Sequence, residues 1–267
     1  MESVKIGNLE YLCAASIAAP HCFTTRFGGV SEGYLSSMNI GLTRGDSIEN
    51  VWKNYEILGN ALGFDPKNCV LTKQTHTDIV RVVTAQDAGT GLYGPEFAPC
   101  DGLVTDTEGL ALVVFTADCT PVLLYDEITG AVGAVHAGWK GTAQDITGKA
   151  VEAMIKAFGT DPKNIRAAIG PNIGPCCFET DEDVPAALLE TYGDAILPHI
   201  SKKGSKFYVN LKAINAYALA RHGVESIDIS TDCTLCQTHR FWSARAHRDH
   251  RGSQGAIIVC KKGGKGL

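Results

Sequence analysis

The 267-residue sequence has no apolar run close to the roughly 20 residues a membrane-spanning helix needs. Its first segment, MESVKIGNLEYLCAASIAAPHCF, has no charged stretch followed by an apolar core and a cleavage site. Both absences predict a soluble, cytoplasmic protein. An excess of positive charge is also missing: 24 Lys and Arg stand against 29 Asp and Glu, a formal net charge of −5. An acidic surface is drawn neither to nucleic acid nor to an anionic membrane, so neither is expected as a partner. No internal repeat and no Pro-, Gly- or Ser-rich linker divides the chain. One domain over residues 1–260 is therefore expected, with a disordered basic tail over 261–267. With no coiled-coil pattern and no apolar interface helix, the expected state is a monomer.

Ten cysteines do not make this a disulfide framework, because such frameworks belong to short secreted chains and these are scattered through strand-like and helix-like segments. They are read mostly as buried thiols. Cys233 and Cys236 form a C-x-x-C, but no second C-x-x-C completes a four-ligand metal set and no βαβ frame of the redox type surrounds it. Cys176 and Cys177, after GPNIGP, read as buried thiols at the start of a helix. His247 and His250 fall in an Arg-rich loop and read as solvated.

What is present is ample core material, 45% hydrophobic residues, organised as short apolar runs. Strands are predicted near 69–71, 79–84, 110–116, 121–125, 131–136 and at RAAIG, ESIDIS and GAIIVC. Residues 23–46 alternate short β-like pieces with Gly, Ser and Asn, as strands joined by functional loops would. Ser47 suits the N-cap of a helix whose Val51, Tyr55, Leu58 and Leu62 share a face and whose Gly63 ends it. Thr142 is placed as the cap of a second helix with Ile146, Ala150, Ala153 and Ala157 inward. Further helices are expected at DEDVPAALLETYG and NLKAINAYALARHG. Mixed strands and helices without a regular βαβ beat predict an α+β fold, a mixed-sheet α/β sandwich.

The chemistry concentrates on three residues. Cys119 in LALVVFTADCTPVLLYD and His136 in GAVGAVHAGWKGT stand where apolar strands end, and His76 in TKQTHTDIV has a similar context. Two imidazoles and a thiolate suit zinc, and three protein ligands leave a fourth position for water, phosphate or substrate. The small residues after His136 let a ligand approach the backbone. Asp118 either orients a ligand or is a strand-end charge reaching solvent. Arg26, Arg44, Lys73 and Lys140 are the basic residues suited to an anion.

Together TTRFGGVS, SSMNIGLTRGD, KQTH, TADCTPVLL, VHAGWKGT, AIGPNIGPCCFE and FWSAR resemble the family long labelled polyphenol oxidase or laccase-domain protein, now regarded as zinc-dependent purine nucleoside phosphorylases. The resemblance runs in order from about residue 20 to the last strand. It implies zinc held by His76, Cys119 and His136, which are then also the catalytic residues. It also implies purine nucleosides and phosphate as small-molecule substrates, with adenosine deaminase and methylthioadenosine phosphorylase activities beside the inosine, guanosine and adenosine reactions. Arg26, Asn39 and Arg44 fall in the segment resembling the family's substrate-binding motifs, and Arg245 matches the first arginine of its FFS-x-RR motif. The chain departs from that motif at Ala246, and from the following TGRQ at Ser253, where an arginine is usual. Arg248 or Arg251 either substitutes there or decorates a loop.

Two rivals follow from the same residues. A copper-dependent laccase, with copper in place of zinc, needs repeated H-x-H pairs, and none of the eight histidines forms one. A metal-free hydrolase would use Cys119 as nucleophile and His136 or His76 as base, acting on a peptidoglycan precursor. The H-x-E and P-C-x-x-C signature of cytidine-type deaminases is absent, so any deamination uses a different frame.

Overall fold

The uninterrupted apolar runs become strands covered on both faces, in a computed structural model that describes residues 1–261. The predicted basic tail beyond Lys261 lies outside the described residues. In chain order the strands begin β1 Glu2–Ile6, β2 Leu9–Cys13, β3 His21–Thr24, β4 Cys69–Leu71 and β5 Val80–Val82. They continue with β6 Gly102–Thr105, β7 Ala111–Thr116, β8 Thr120–Asp126, β9 Val132–Ala137 and β10 Ile165–Ile169. The last are β11 Glu179–Thr180, β12 Ile200–Lys203, β13 Lys206–Val209, β14 Ser226–Ile229 and β15 Gln254–Val259. The helices are α1 Ile48–Leu62, α2 Trp139–Ala143, α3 Ile146–Phe158, α4 Asp183–Tyr192, α5 Leu211–Arg221 and α6 Ala244–His247.

One six-stranded sheet has the order β1-β2-β3-β15-β7-β4, a second β14-β10-β8-β9-β6-β5, and a small third sheet is β11-β13-β12. Most neighbours are antiparallel, but β4 with β7, β5 with β6 and β10 with β14 run parallel, so both large sheets are mixed. The two sheets face each other across a core that joins Leu12, Phe23, Leu112 and Ile258 of the first to Leu103, Leu123, Val132 and Ala168 of the second. Val51, Tyr55 and Leu58 of α1 cover the outer face of the first sheet. Ile146, Ala150 and Met154 of α3, with Leu219 of α5, cover the second. Every residue of β8 and β9 is consequently buried, which is why these strands read as continuous apolar runs and not as an alternation. The expected α/β sandwich is the observed architecture. No helix among the described residues is long and apolar enough to cross a membrane.

Ser47 accepts a hydrogen bond from Asn50 N, and Gly63 ends α1 at φ 75°, as predicted. Thr142 does not cap the next helix. It lies inside the short α2, and α3 starts at Ile146 after Asp145, whose backbone is left-handed at φ 58°. The buried face of α3 is Ile146, Ala150, Val151 and Met154, while Ala157 is exposed. Residues 23–46 hold strand only to Thr24, followed by a loop with one 3-10 turn, Gly33–Leu35. Side chains replace the ladder there: Val30 N donates to Asn54 Oδ1 and Gly29 N to Ser37 Oγ. The β1–β2 hairpin, β6 and the small third sheet were not anticipated. Cys176 and Cys177 do not enter a helix; they sit exposed and half-buried in the turn before β11.

The α3–α5 contact carries a titratable pair. His222 Nε2 lies 2.8 Å from Asp145 Oδ2. That hydrogen bond, with the nearby carboxylate charge, raises His222 above its ordinary value despite partial burial. A raised folded-state value contributes stability fully present below the unfolded value of about 6.5 and lost as pH rises through the folded one. His222→Gln is therefore expected to lower Tm most near about pH 5, with the deficit shrinking toward about pH 9. A deficit that grows with pH would contradict this pairing.

Candidate metal centre

Chain crossovers between the sheets bring the three chemistry-bearing residues to one end of the sandwich. His76 lies on the connection from β4 of the first sheet to β5 of the second, and Cys119 on the tight turn from β7 to β8. His136 is near the end of β9, directly opposite Pro121 of β8. Asp118, at φ 90°, turns the chain sharply just before the thiol. One donor atom from each of His76, Cys119 and His136 falls within 4.8 Å of the others. Cys119 Sγ is 3.8 Å from His76 Nε2, and the imidazoles meet edge to face at 5.0 Å. Ligand atoms around a tetrahedral zinc stand about 3.3–3.8 Å apart, so a small contraction lets this trio hold one ion.

Asp101, fully buried just ahead of β6, ties the group together. Its Oδ1 is 2.8 Å from His136 Nδ1, which leaves Nε2 of that ring for a metal. The same carboxylate accepts from the backbone N–H groups of Thr75, His76 and Thr77 at 3.2, 3.0 and 2.8 Å. That explains how His76 is held at φ 62°, a region costly for a side chain other than glycine. Burial alone would raise Asp101, but the bonds from His136 and Thr77 outweigh it and hold the carboxyl down to about 2. Burial would likewise raise the Cys119 thiol; the neighbouring imidazoles of His136 and His76 bring it down to about 6 instead. Burial disfavours a charged His136, yet the thiolate and Asp101 push it upward. Cys119 and His136 thus favour each other's charged form, which suits the thiol to act as a thiolate ligand.

The trio opens on a cavity of about 420 Å³. Of the predicted anion and substrate contacts, Arg44 and Lys73 line it. Lys73 also pairs with Glu96 at 3.0 Å. Arg26 is taken up elsewhere, stacked 3.9 Å from the Trp242 ring and donating to Thr238 O. Asn39 is fully buried behind the cavity, accepting from Gly41 N and Ser253 N. Lys140 is exposed beside Trp139, and Arg245 reaches Glu179 O; neither lines the cavity. Arg251, not Arg248, faces the cavity with Ser253. Asp118 does not reach solvent: it accepts from Thr234 Oγ1, Ser243 Oγ and Arg245 N at 2.6, 2.9 and 2.7 Å.

Asp101 and Gln74 were missed from sequence. Gln74 belongs to KQTH, where its amide bonds Phe115 N and O and so docks the His76 loop on β7. Asp101 leaves only the trace of a lone carboxylate ahead of an apolar strand. At Gly138 the close neighbour is the His76 ring, since a Cβ there would stand 2.7 Å from His76 Cδ2. Asp101→Asn is expected to weaken metal binding at the trio, read with added zinc, by about 10–100-fold in a chelator competition, the usual cost of losing a partner behind a ligating histidine. Gly138→Ala should weaken it similarly by displacing His76, with little change in Tm. Unchanged affinity in either variant would remove that residue from the site.

The family described as multi-copper polyphenol oxidoreductase laccase matches residues 20–261. The purine nucleoside phosphorylase YlmD of Geobacillus stearothermophilus is 36% identical over 241 residues, 88% of this chain and 87% of its own. A purine nucleoside phosphorylase of Deinococcus radiodurans is 36% identical over 251 residues, covering 94% and 92%. The crystal structure of YlmD from G. stearothermophilus superposes with a TM-score of 0.91 at 32% identity, over 97% of this chain and 98% of that one. With its His-Cys-His cluster at the mouth of one cavity and this match along nearly its whole length, the chain belongs to the multi-copper polyphenol oxidoreductase laccase family.

Proposed function

We propose that this protein is a zinc-dependent purine nucleoside phosphorylase acting on inosine, guanosine, adenosine and methylthioadenosine, with adenosine deamination as an accompanying activity. The observation that carries the reading is an arginine pair in the cavity that holds the trio. Arg44 and Arg251 both line it. Arg251 Nε is buried with no hydrogen-bond partner among the described residues. Burial and then the charge of Arg44 make it harder for Arg251 to keep its proton. Two like charges held together beside an unfilled donor suit an oxyanion such as phosphate. Relatives named purine nucleoside phosphorylase support the same reading.

In phosphorolysis a phosphate oxygen bonds the anomeric carbon as the carbon–nitrogen bond to the purine breaks, and the electron pair leaves with the base. The protein must therefore fix an anion in line with the sugar and exclude water. Arg44 and Arg251 bind and orient the phosphate, while Leu42, Leu71 and Phe115 on the cavity wall give the purine an apolar face. Lys73 and Glu96 offer hydrogen-bonding groups to ribose hydroxyls. His76, Cys119 and His136 would hold the zinc, which supplies Lewis-acid stabilisation of developing negative charge. Asp101 keeps His136 aligned through Nδ1.

Asp101, His136 and Cys119 also form a carboxylate–imidazole–thiol series of the kind that activates a cysteine nucleophile without a metal. Cys119→Ala should hold one zinc fewer per chain than wild type and lose phosphate-dependent base release from inosine and adenosine. Arg251→Ala should keep its zinc and raise KM for phosphate about 10–100-fold, the range expected for losing a charged hydrogen bond. Base release that survives complete chelation would overturn the zinc reading and favour the thiol one. Ammonia release from adenosine reports the deamination separately.

A further inference from the structure

A second cluster stands apart from the cavity. Cys176 and Cys177, in the turn before β11, meet Cys233 and Cys236 in the loop after β14, and the four sulfurs lie within 4.8 Å of one another. Cys236 Sγ is 3.6 Å from Cys176 Sγ and 3.4 Å from Cys177 Sγ. These are not disulfide distances, since a bonded pair stands about 2.05 Å apart. They are close to the separation of about 3.8 Å between thiolates on one tetrahedral zinc. We propose that Cys176, Cys177, Cys233 and Cys236 bind a structural zinc ion as a tetrathiolate.

The surroundings are arranged as a ligand cage. Gly174 N donates to Cys233 Sγ at 3.2 Å, the kind of backbone bond that orients a ligating thiolate. A Cβ at Gly174 would meet Cys176 Sγ at 3.3 Å and Cys233 Cβ at 3.2 Å, so the bare backbone makes room for the sulfurs. Lys212 of α5, buried, donates to Ser230 O and Asp232 O at the start of the second loop. Its ammonium partly offsets the two negative charges of a zinc tetrathiolate. Four thiolates fill the coordination sphere and leave no open position, so the role is structural and not catalytic.

The position explains what the ion would do. Asn172 bridges to Cys233, and Thr234 N donates to Asn172 O at 3.0 Å, so the two loops already run together. Asn172 Nδ2 then bonds Thr120 Oγ1, Ile173 N bonds Asp118 O, and Thr234 Oγ1 bonds Asp118 Oδ1. These contacts grip the residues on both sides of Cys119. A zinc joining the two loops would lock that grip.

The test removes the first site and asks whether metal remains. His76→Ala/Cys119→Ala, altered only at partly exposed positions, should fall from two zinc ions per chain to one. Its cobalt(II) derivative should show the thiolate charge-transfer and tetrahedral d–d bands of a four-sulfur site. Cys233→Ser/Cys236→Ser should retain only the ion of the first site; if it fails to fold, the first variant still decides the matter. A folded His76→Ala/Cys119→Ala protein without bound zinc would overturn the proposal, whether its four thiols titrate as reduced or as a disulfide. One zinc held without the four-sulfur spectrum would overturn it equally.

Discussion

The carboxylate of Asp101 is the constraint on which the site depends. One buried group accepts three consecutive backbone N–H bonds from the His76 loop and faces His136 Nδ1. It fixes an unfavourable backbone at one ligand and the tautomer and direction of another. Without it, the His76 loop has no reason to hold φ 62°, and His136 loses the partner that favours its charged form. Because Asp101 is itself buried, its contacts are worth more than the same bonds in water, and leaving it unpaired would be costly. The ligand loops and the carboxylate therefore form as one unit.

That unit sits where it does because the chain changes sheets there. The connections β4–β5 and β7–β8 each leave the first sheet and enter the second, and a crossover at the end of a sandwich cannot continue either ladder. Its backbone groups need other partners, which Asp101 provides for the first connection, while the Gln74 side chain pins that connection to Phe115 of β7. In the second, Asp118 O accepts from Ile173 N, and its carboxylate accepts from Thr234 and Ser243 of the segment after β14 and from Arg245 N of α6. The carboxylate that solves the backbone problem of the first connection also faces His136, so one side chain sets two of the three clustered residues.

The layers were readable from the sequence because they depend on local pattern, and the clustering of His76, Cys119 and His136 was expected from their strand-end context together with the family resemblance. Strands covered on both faces must be apolar throughout, so β7, β8 and β9 announce themselves, and Cys119 and His136 stand out at their ends. What was missed depends on chain segments far apart. Asp101 acts on residues 25 and 35 positions away. Cys176 and Cys177 lie 60 and 59 positions from Cys236, so counting C-x-x-C motifs along the chain could not find the cluster. Motif membership also misled: Arg26 and Asn39 sit in glycine-rich segments that read as substrate loops, yet both are spent on internal hydrogen bonds and stacking. Thr142 had the chemistry of a helix cap, but the turn begun at Trp139 had already placed it inside a helix.

The family's copper-oxidase description and the zinc reading proposed above name different ions, and the cavity supports a site open to substrate. Two histidines and a cysteine are also the equatorial ligands of an electron-transfer copper, which adds a weak axial ligand, usually Met, and is closed to substrate. Here no methionine among the described residues lines the cavity, and the space beside the trio is walled by Arg44, Arg251 and Lys73. An electron-transfer centre gains nothing from cationic side chains around a cavity of about 420 Å³. An ion that must share its site with an oxyanion does, because the arginines supply binding energy and orientation while the open position stays available for chemistry. The same comparison separates the two clusters within the chain. Three ligands facing a charged cavity suit a reaction, and four sulfurs between two loops suit a fastening, so the number of donors and what lies beside them distinguish the roles better than the identity of any one cysteine.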